Sequence, residues 1–435
     1  VTLELYQYQY ETVAEITSNS HPVYLAFEMG TGKTPIAIAV AKARKVRRLL
    51  ILCPAVGKLT WAKELKRWWP GMPVKVVRHP TDLHGDGAFI LSYNHVSVTP
   101  DFADVVSRAA SFDMTVLDEA HALKNPGANR TKAVLKTMLP KLGFVLPMSG
   151  TPTPNHPGEL FPILRTVFPE TVRKSDGKLM RQYEFEDRYC QVVQKWFGGR
   201  AVRTIEGAKN ADVLRATIKP YFLRKTKKQV LPDLPDMTFD TFPINAPNAP
   251  NWGFEGMSND EIEAMIDSGD AHVMRMRHQT GLAKVPGAVE AISDMLDNCK
   301  RKVVVFAHHK DVIDGLIKNL ALYNPVKITG ETSSVDRELA IHRFLDDPTC
   351  RVFIGNIQAA GTTITLVADT NEVSDVFFAE ASYSPMDNVQ AASRIHRIGQ
   401  KDAVQVWFLT AFGSIDDRIQ EILVRKAQDF KTLFG

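Results

Sequence analysis

A pair of doubly wound α/β lobes, each built on a parallel sheet, is the fold class this sequence predicts, and three observations carry it. Short apolar runs alternate with amphipathic stretches through the first half, the same rhythm returns in the last third, and a proline- and asparagine-rich connector separates the two. The chain's 435 residues exceed what one core needs, since a domain takes roughly 150. With 44% hydrophobic and 23% charged residues, the composition is that of a soluble globular protein and excludes a disordered chain or a collagen-like fibre. Lys and Arg number 53 against 49 Asp and Glu, a formal charge of +4 that permits a nucleic-acid partner without requiring one.

In the first lobe, residues 23–27, 49–53, 89–91, 114–117 and 144–148 are apolar runs, each followed by turn residues and then helical spacing, and each reads as a buried strand. In the second, residues 303–307, 326–328, 352–354, 376–378 and 404–409 read the same way. Between them, Leu231-Pro232-Asp233-Leu234-Pro235 and the run from Asn245 to Asn251 break regular structure. The boundary is therefore expected near residue 240, giving lobes 1–240 and 241–435. Residues 174–210 fit neither rhythm and read as an insertion, with Trp196-Phe197-Gly198-Gly199-Arg200 as a turn between two short strands. Cys53, Cys190, Cys299 and Cys350 are scattered, with no C-x-x-C pair, and are expected as reduced thiols. No apolar stretch is long enough to span a bilayer and no signal-peptide pattern opens the chain, so an intracellular protein with no membrane partner is expected.

The chemistry is densest at Phe27-Glu28-Met29-Gly30-Thr31-Gly32-Lys33-Thr34, set between an apolar strand and an apolar helix. Glycines let backbone N–H groups turn toward phosphate oxygens, and the helix N-terminus adds the positive end of its dipole. Lys33 then reaches the terminal phosphates and the Thr34 hydroxyl suits Mg²⁺. Phe27 stands where the full phosphate-loop pattern has glycine, so only its G-x-G-K-T core is present. Downstream, a buried strand ends in Asp118-Glu119-Ala120-His121. A carboxylate at the C-terminal end of such a strand belongs on Mg²⁺, which assigns Asp118, and Glu119 next to it suits the attacking water.

With these residues in place, the chain resembles superfamily 2 helicase-like motors, and specifically the SNF2 family of double-stranded-DNA translocases. Leu5-Tyr6-Gln7-Tyr8-Gln9 is similar to the family's adenine-reading Q motif, with Tyr6 where an Arg is usual; residues 26–34 are similar to its A-D-E-M-G-L-G-K-T. Cys53-Pro54 with Trp61, Glu64 and Trp68 resembles motif Ia, and Leu91-Ser92-Tyr93 the DNA-contact motif after it. Ser149-Gly150-Thr151-Pro152 resembles motif III, and residues 222–227 the basic segment that joins the lobes. In the second lobe, residues 303–307 resemble motif IV, residues 355–366 motif V and residues 390–400 motif VI. Arg188-Tyr189-Cys190, with Gly198-Gly199, Gly207, Asn210 and the Arg224 segment, is similar to the HARP-type annealing helicases.

The resemblance implies RecA-like lobes with a nucleotide cleft between them, and a DNA-dependent ATPase that uses ATP and Mg. The nucleotide would be held by Gln9, Gly30, Thr31, Gly32, Lys33, Thr34 and Gly361, with Arg394 and Arg397 as finger residues from the second lobe. Thr34 and Asp118 would hold the metal. His121, Ser149, Gly150 and Gln390 would couple the nucleotide to nucleic acid, and Lys58, Ser92, Tyr93, Thr151, Lys225 and Asn356 would contact DNA phosphates. The implied partner is double-stranded, forked or branched DNA bound without regard to sequence, by a monomer, with a targeting protein as a further partner. Two rivals stay open on the residues: a non-catalytic nucleic-acid clamp, and an RNA helicase suggested by the four letters at 118–121.

Overall fold

The computed structural model describes residues 4–98, 100–109, 111–197, 200–250, 257–299, 301–360, 364–367 and 373–434. The chain divides into two units, Val1–Pro232 with Asp429–Gly435, and Asp233–Gln428. In the first unit, chain order runs β1 (Tyr24–Leu25), β2 (Arg48–Cys53), β3 (Val74–Val76), β4 (Gly87–Ser92), β5 (Met114–Asp118), β6 (Phe144–Met148), the hairpin strands β7 (Cys190–Phe197) and β8 (Arg200–Ala208), and β9 (Phe222–Leu223). Seven of these form one sheet in the order β3-β4-β2-β5-β6-β1-β9, and all its pairs are parallel.

The uninterrupted apolar strands follow from burial on both faces. In β2, Leu49 and Ile51 enter one core cluster while Leu50 and Leu52 enter the other, so alternation with polar residues has no place. Helix α1 (Gln7–Ser18) leads into β1, α2 (Lys33–Ala43) leaves the phosphate loop, α3 (Gly57–Trp68) follows β2, and the short α4 (Tyr93–Val98) follows β4. Helix α3 buries Gly57, Trp61 and Leu65, one stripe at helical spacing, flanked by the partly buried Ala62 and Trp68.

The second unit builds β10 (Met237–Pro243), β11 (Lys302–Ala307), β12 (Val326–Ile328), β13 (Val352–Asn356), β14 (Val373–Phe378) and β15 (Val404–Thr410). These pair in the order β10-β15-β14-β11-β13-β12, again wholly parallel, with one apolar cluster on each face. The fold class is thus two parallel-sheet α/β units.

Differences from the sequence reading are local. The strand read at 23–27 pairs over Tyr24–Leu25 only, because the chain then turns into the phosphate loop. Phe222–Leu223, read as part of a connector, is an edge strand of the first sheet. Met237–Pro243 pairs along its length with β15 and so belongs to the second sheet. The irregular stretch at 174–210 contains a hairpin of eight- and nine-residue strands, longer than the two short strands expected. Gly198, Gly199 and the side chains of Trp196 and Phe197 lie outside the described residues.

Candidate active site and nucleic-acid interface

Three neighbouring strands bring the chemistry of the first unit together. Leu25 pairs with Met148 and Asp118 pairs with the same residue, so β5, β6 and β1 end side by side and release residues 118–121, 149–151 and the phosphate loop at one edge. This is the C-terminal edge of a parallel sheet, where α/β folds place ligands.

The loop's conformation depends on its glycines. Gly30 and Gly32 have φ of 80° and 74°, the left-handed region, and Gly32 is the N-cap of α2. A Cβ on Gly32 would come within 2.3 Å of Gln9 Nε2. Gln9 itself is buried; its amide donates to the Thr31 carbonyl at 3.3 Å and accepts from the Tyr6 N–H at 2.9 Å. Tyr8 donates to the same carbonyl at 2.8 Å, and its half-buried hydroxyl, by desolvation and the nearby Tyr6, is pushed up to about 12. The Q-motif helix therefore grips the loop at Thr31, whose own hydroxyl donates to the Glu28 carbonyl. Lys33 Nζ lies over the loop, 3.1 Å from the Phe27 carbonyl and 3.3 Å from that of Glu28, and Thr34 follows it on α2, partly exposed.

Across the strand ends, Asp118 is half-buried, and desolvation together with the adjacent Glu119 charge raises its carboxyl to about 7 against the pull of Trp61 and Lys33. Trp61 Nε1 donates to Asp118 Oδ2 at 2.7 Å, and the Tyr93 hydroxyl donates to the Asp118 carbonyl at 2.8 Å. A carboxylate at a strand end beside a phosphate loop, crowded by Glu119, fits a divalent cation, whose charge would offset that crowding. Glu119 has φ 48° and ψ 54°, a conformation that costs a side-chain-bearing residue energy and is kept where geometry demands it. Ser149 Oγ donates to Glu119 Oε2 at 3.2 Å and lies 2.8 Å from His121 Nδ1. Since the hydroxyl's one proton goes to Glu119, the network assigns the Nδ1 proton to His121, with the Thr151 N–H also donating to Ser149 Oγ. Gly150 must be glycine here, because a Cβ would meet Met29 Cγ at 2.6 Å.

Sequence reasoning passed over the anchors behind this arrangement. Arg224 Nη1 donates to the Ala26 carbonyl at 2.8 Å and the Gly150 carbonyl at 3.1 Å, tying the phosphate loop to residues 149–151. Glu28 accepts the Lys227 N–H at 2.8 Å. Lys124 and Asn155 converge on the buried Glu159, each at 2.7 Å. Trp61 was noted only as part of a motif; a tryptophan on the buried stripe of a short helix is the signal that was available.

The residues proposed for DNA divide in two. Lys58, at the first turn of α3, and Lys225, with Nζ 5.9 Å from the Phe27 ring centroid, are partly exposed. Ser92, Tyr93 and Thr151 are buried: the Ser92 hydroxyl accepts the His95 N–H, and Tyr93 spends its hydroxyl on Asp118.

In the second unit, Asn356 donates to the His308 carbonyl at 2.7 Å and accepts from the N–H groups of Gln358 and Ala359, so it fixes the turn after β13. Gln390 and Arg394 are buried, with Arg394 Nε donating to the Gln390 carbonyl at 3.2 Å. Arg397 donates to Thr365 Oγ1 and the Ile364 carbonyl. Gly361 lies outside the described residues. Among the described residues no helix is long and apolar enough to cross a membrane.

Comparison with known proteins shows the family. The mouse (Mus musculus) protein named DNA annealing helicase and endonuclease ZRANB3 is 31% identical over 424 residues, covering 93% of this chain and 38% of that protein. A Caenorhabditis elegans SWI/SNF-related matrix-associated actin-dependent regulator of chromatin subfamily A-like protein 1 homolog is 32% identical over 445 residues, 97% of this chain and 61% of that protein. The chain thus spans about two-fifths of the first of these relatives and three-fifths of the second. The Sulfolobus solfataricus SWI2/SNF2 ATPase core in complex with dsDNA aligns over 99% of this chain and 93% of its own, at 22% identity and a TM-score of 0.46. The helicase conserved C-terminal domain matches residues 287–399. The SNF2-related domain matches residues 8–248, more than half of the chain, and the protein is a member of the SNF2-related family.

Proposed function

We propose that this chain is a DNA-dependent ATPase, an ATP-driven motor that tracks on duplex or branched DNA and remodels forks or anneals strands. The observation that carries the reading is the hydrogen-bonded set Glu119–Ser149–His121, next to Asp118 at adjoining strand ends and beside the Lys33 loop, whose glycines shape it for a triphosphate. Bound Mg·ATP would supply the electrophilic phosphorus and the neutralising cation. Gly30, Gly32 and Lys33 would hold the phosphates, with Thr34 and Asp118 on the metal. Glu119, oriented by Ser149, would position the attacking water and take its proton. Arg394 and Arg397 would serve as finger residues on the phosphates.

The mouse relative's name, DNA annealing helicase and endonuclease, favours annealing. Contacts from Lys58, Lys225 and the main chain at Ser92 and Thr151 would bind phosphate and leave sequence unread. The motor acts as a monomer where the DNA is, with a targeting protein as a further partner. Lys33→Ala and Glu119→Gln test the site: each is expected to lower ATP turnover by at least about a hundredfold with unfolding temperature preserved. Wild-type turnover in either variant contradicts the assignment.

A further inference from the structure

Asp118 is held twice, from opposite sides of the sheet. Trp61 lies in one apolar cluster and reaches the Asp118 carboxylate at 2.7 Å; Tyr93 lies in the other and reaches the Asp118 carbonyl at 2.8 Å. Both rings are only 2% exposed. An aliphatic residue or phenylalanine would fill either core, so what these two residues add is one N–H and one O–H, both spent on Asp118. Each anchor also stands next to a proposed phosphate contact: Lys58 lies one helical turn before Trp61 on α3, and Ser92 directly precedes Tyr93 at the junction of β4 and α4.

We propose that Trp61 and Tyr93 are positioning residues that set Asp118 for its divalent cation, and that they relay nucleic-acid engagement at α3 and at the β4–α4 junction to the metal requirement of the nucleotide site. The relay rests on the proposed motor function; the positioning rests on the two hydrogen bonds. The path is short and rigid. A shift of α3 on binding a phosphate moves the indole N–H, and the carboxylate it holds moves with it. Tyr93 keeps the main chain of Asp118 in place while this happens, so the side chain rather than the strand responds. Loss of a group that orients a metal ligand typically weakens metal binding about 10- to 100-fold.

The test uses the full chain with Trp61→Phe and Tyr93→Phe, each of which keeps a ring in its core and removes one donor. The readout is the Mg²⁺ concentration that half-saturates binding of a non-hydrolysable, N-methylanthraniloyl-labelled ATP, measured with and without duplex DNA. In the wild type, duplex DNA is expected to lower that concentration. Trp61→Phe is expected to raise it about tenfold and to erase most of the DNA effect, and Tyr93→Phe to do the same more weakly. A Trp61→Phe chain that does not fold leaves the decision to Tyr93→Phe and to the ¹⁵N-labelled indole resonance of Trp61, which Asp118→Asn must shift. Variants that titrate as the wild type, or an indole resonance unmoved by Asp118→Asn, overturn the inference. A wild type that binds no nucleotide at any Mg²⁺ concentration instead overturns the motor function on which the relay rests.

Discussion

Glu119 carries a left-handed backbone conformation that the phosphate site makes intelligible. An L-residue at φ 48° is held there by its surroundings, and here the carboxylate is pinned by Ser149 and approached by His121 at 3.3 Å. Ser149 is the pivot, donating to Glu119 while accepting from Thr151 and His121. Ser149→Ala removes a hydrogen bond to a charged group, worth about 1.5 kcal/mol or more. It should lower kcat about tenfold while leaving the KM for ATP within a factor of two or so, in steady-state kinetics at saturating Mg²⁺. A normal kcat removes Ser149 from the chemistry. At this scale the sequence exposed the residues with irreplaceable chemistry. Gly30, Gly32, Lys33, Asp118 and Glu119 are legible because few residue types can do what they do. Tyr93 was legible as a motif member but not as an anchor of Asp118, because a hydroxyl's partner depends on which strand ends the fold makes neighbours.

The strands show the same division. Runs buried on both faces, such as Leu49–Cys53 and Val303–Ala307, announce themselves by uninterrupted apolar residues. Edge strands are less legible: residues 326–328 read as β12, but β3, β9 and β10 do not announce themselves. Met237–Pro243 is mostly exposed and holds its place through parallel pairing with β15, which no local pattern encodes. Close approaches between elements are equally silent in sequence. A Cβ on Gly143 would stand 2.4 Å from the Asp113 carbonyl and 2.5 Å from that of Phe112, both main chain just before β5. Gly143→Ala should therefore cost about 1–3 kcal/mol in urea unfolding, and an unchanged midpoint contradicts the packing described.

Another element-scale device lies at the end of β11. Glu380 is buried, which alone would raise its carboxyl, yet a 2.6 Å bond to His309 Nδ1 and two backbone N–H groups of His308 and His309 hold it down at about 2. A depressed folded carboxyl gives stability that is present above its unfolded value of 4.5 and lost as pH falls toward 2. That contribution is on the order of 3 kcal/mol at neutral pH. His308, pushed down to about 4 chiefly by burial and then by Arg277 and His309, adds a loss that begins earlier, as pH falls from about 6.5. Glu380→Gln should lower the stability of the second unit at pH 7 and flatten its dependence between pH 4.5 and 2. Parallel acid limbs in variant and wild type contradict this.

For the molecule as a whole, a charge of only +4 on 435 residues says that affinity for a polyanion must come from local placement rather than bulk charge. Binding to duplex DNA should then be sequence-independent and fall steeply with salt, by about 0.9 in log K per decade for each phosphate neutralised. A flat salt dependence in a fluorescence anisotropy titration contradicts phosphate contact. The central claim is the proposal that the chain is a nucleotide-driven motor on DNA, with the Lys33 loop and the residues after β5 as its phosphate site. The most direct test is steady-state ATP hydrolysis without nucleic acid and with single-stranded DNA, duplex DNA, a model fork and RNA, using Lys33→Ala as the blank. Hydrolysis stimulated by duplex or forked DNA, and absent in Lys33→Ala, is the predicted result. DNA binding with no hydrolysis on any substrate, or stimulation by RNA alone, would contradict it.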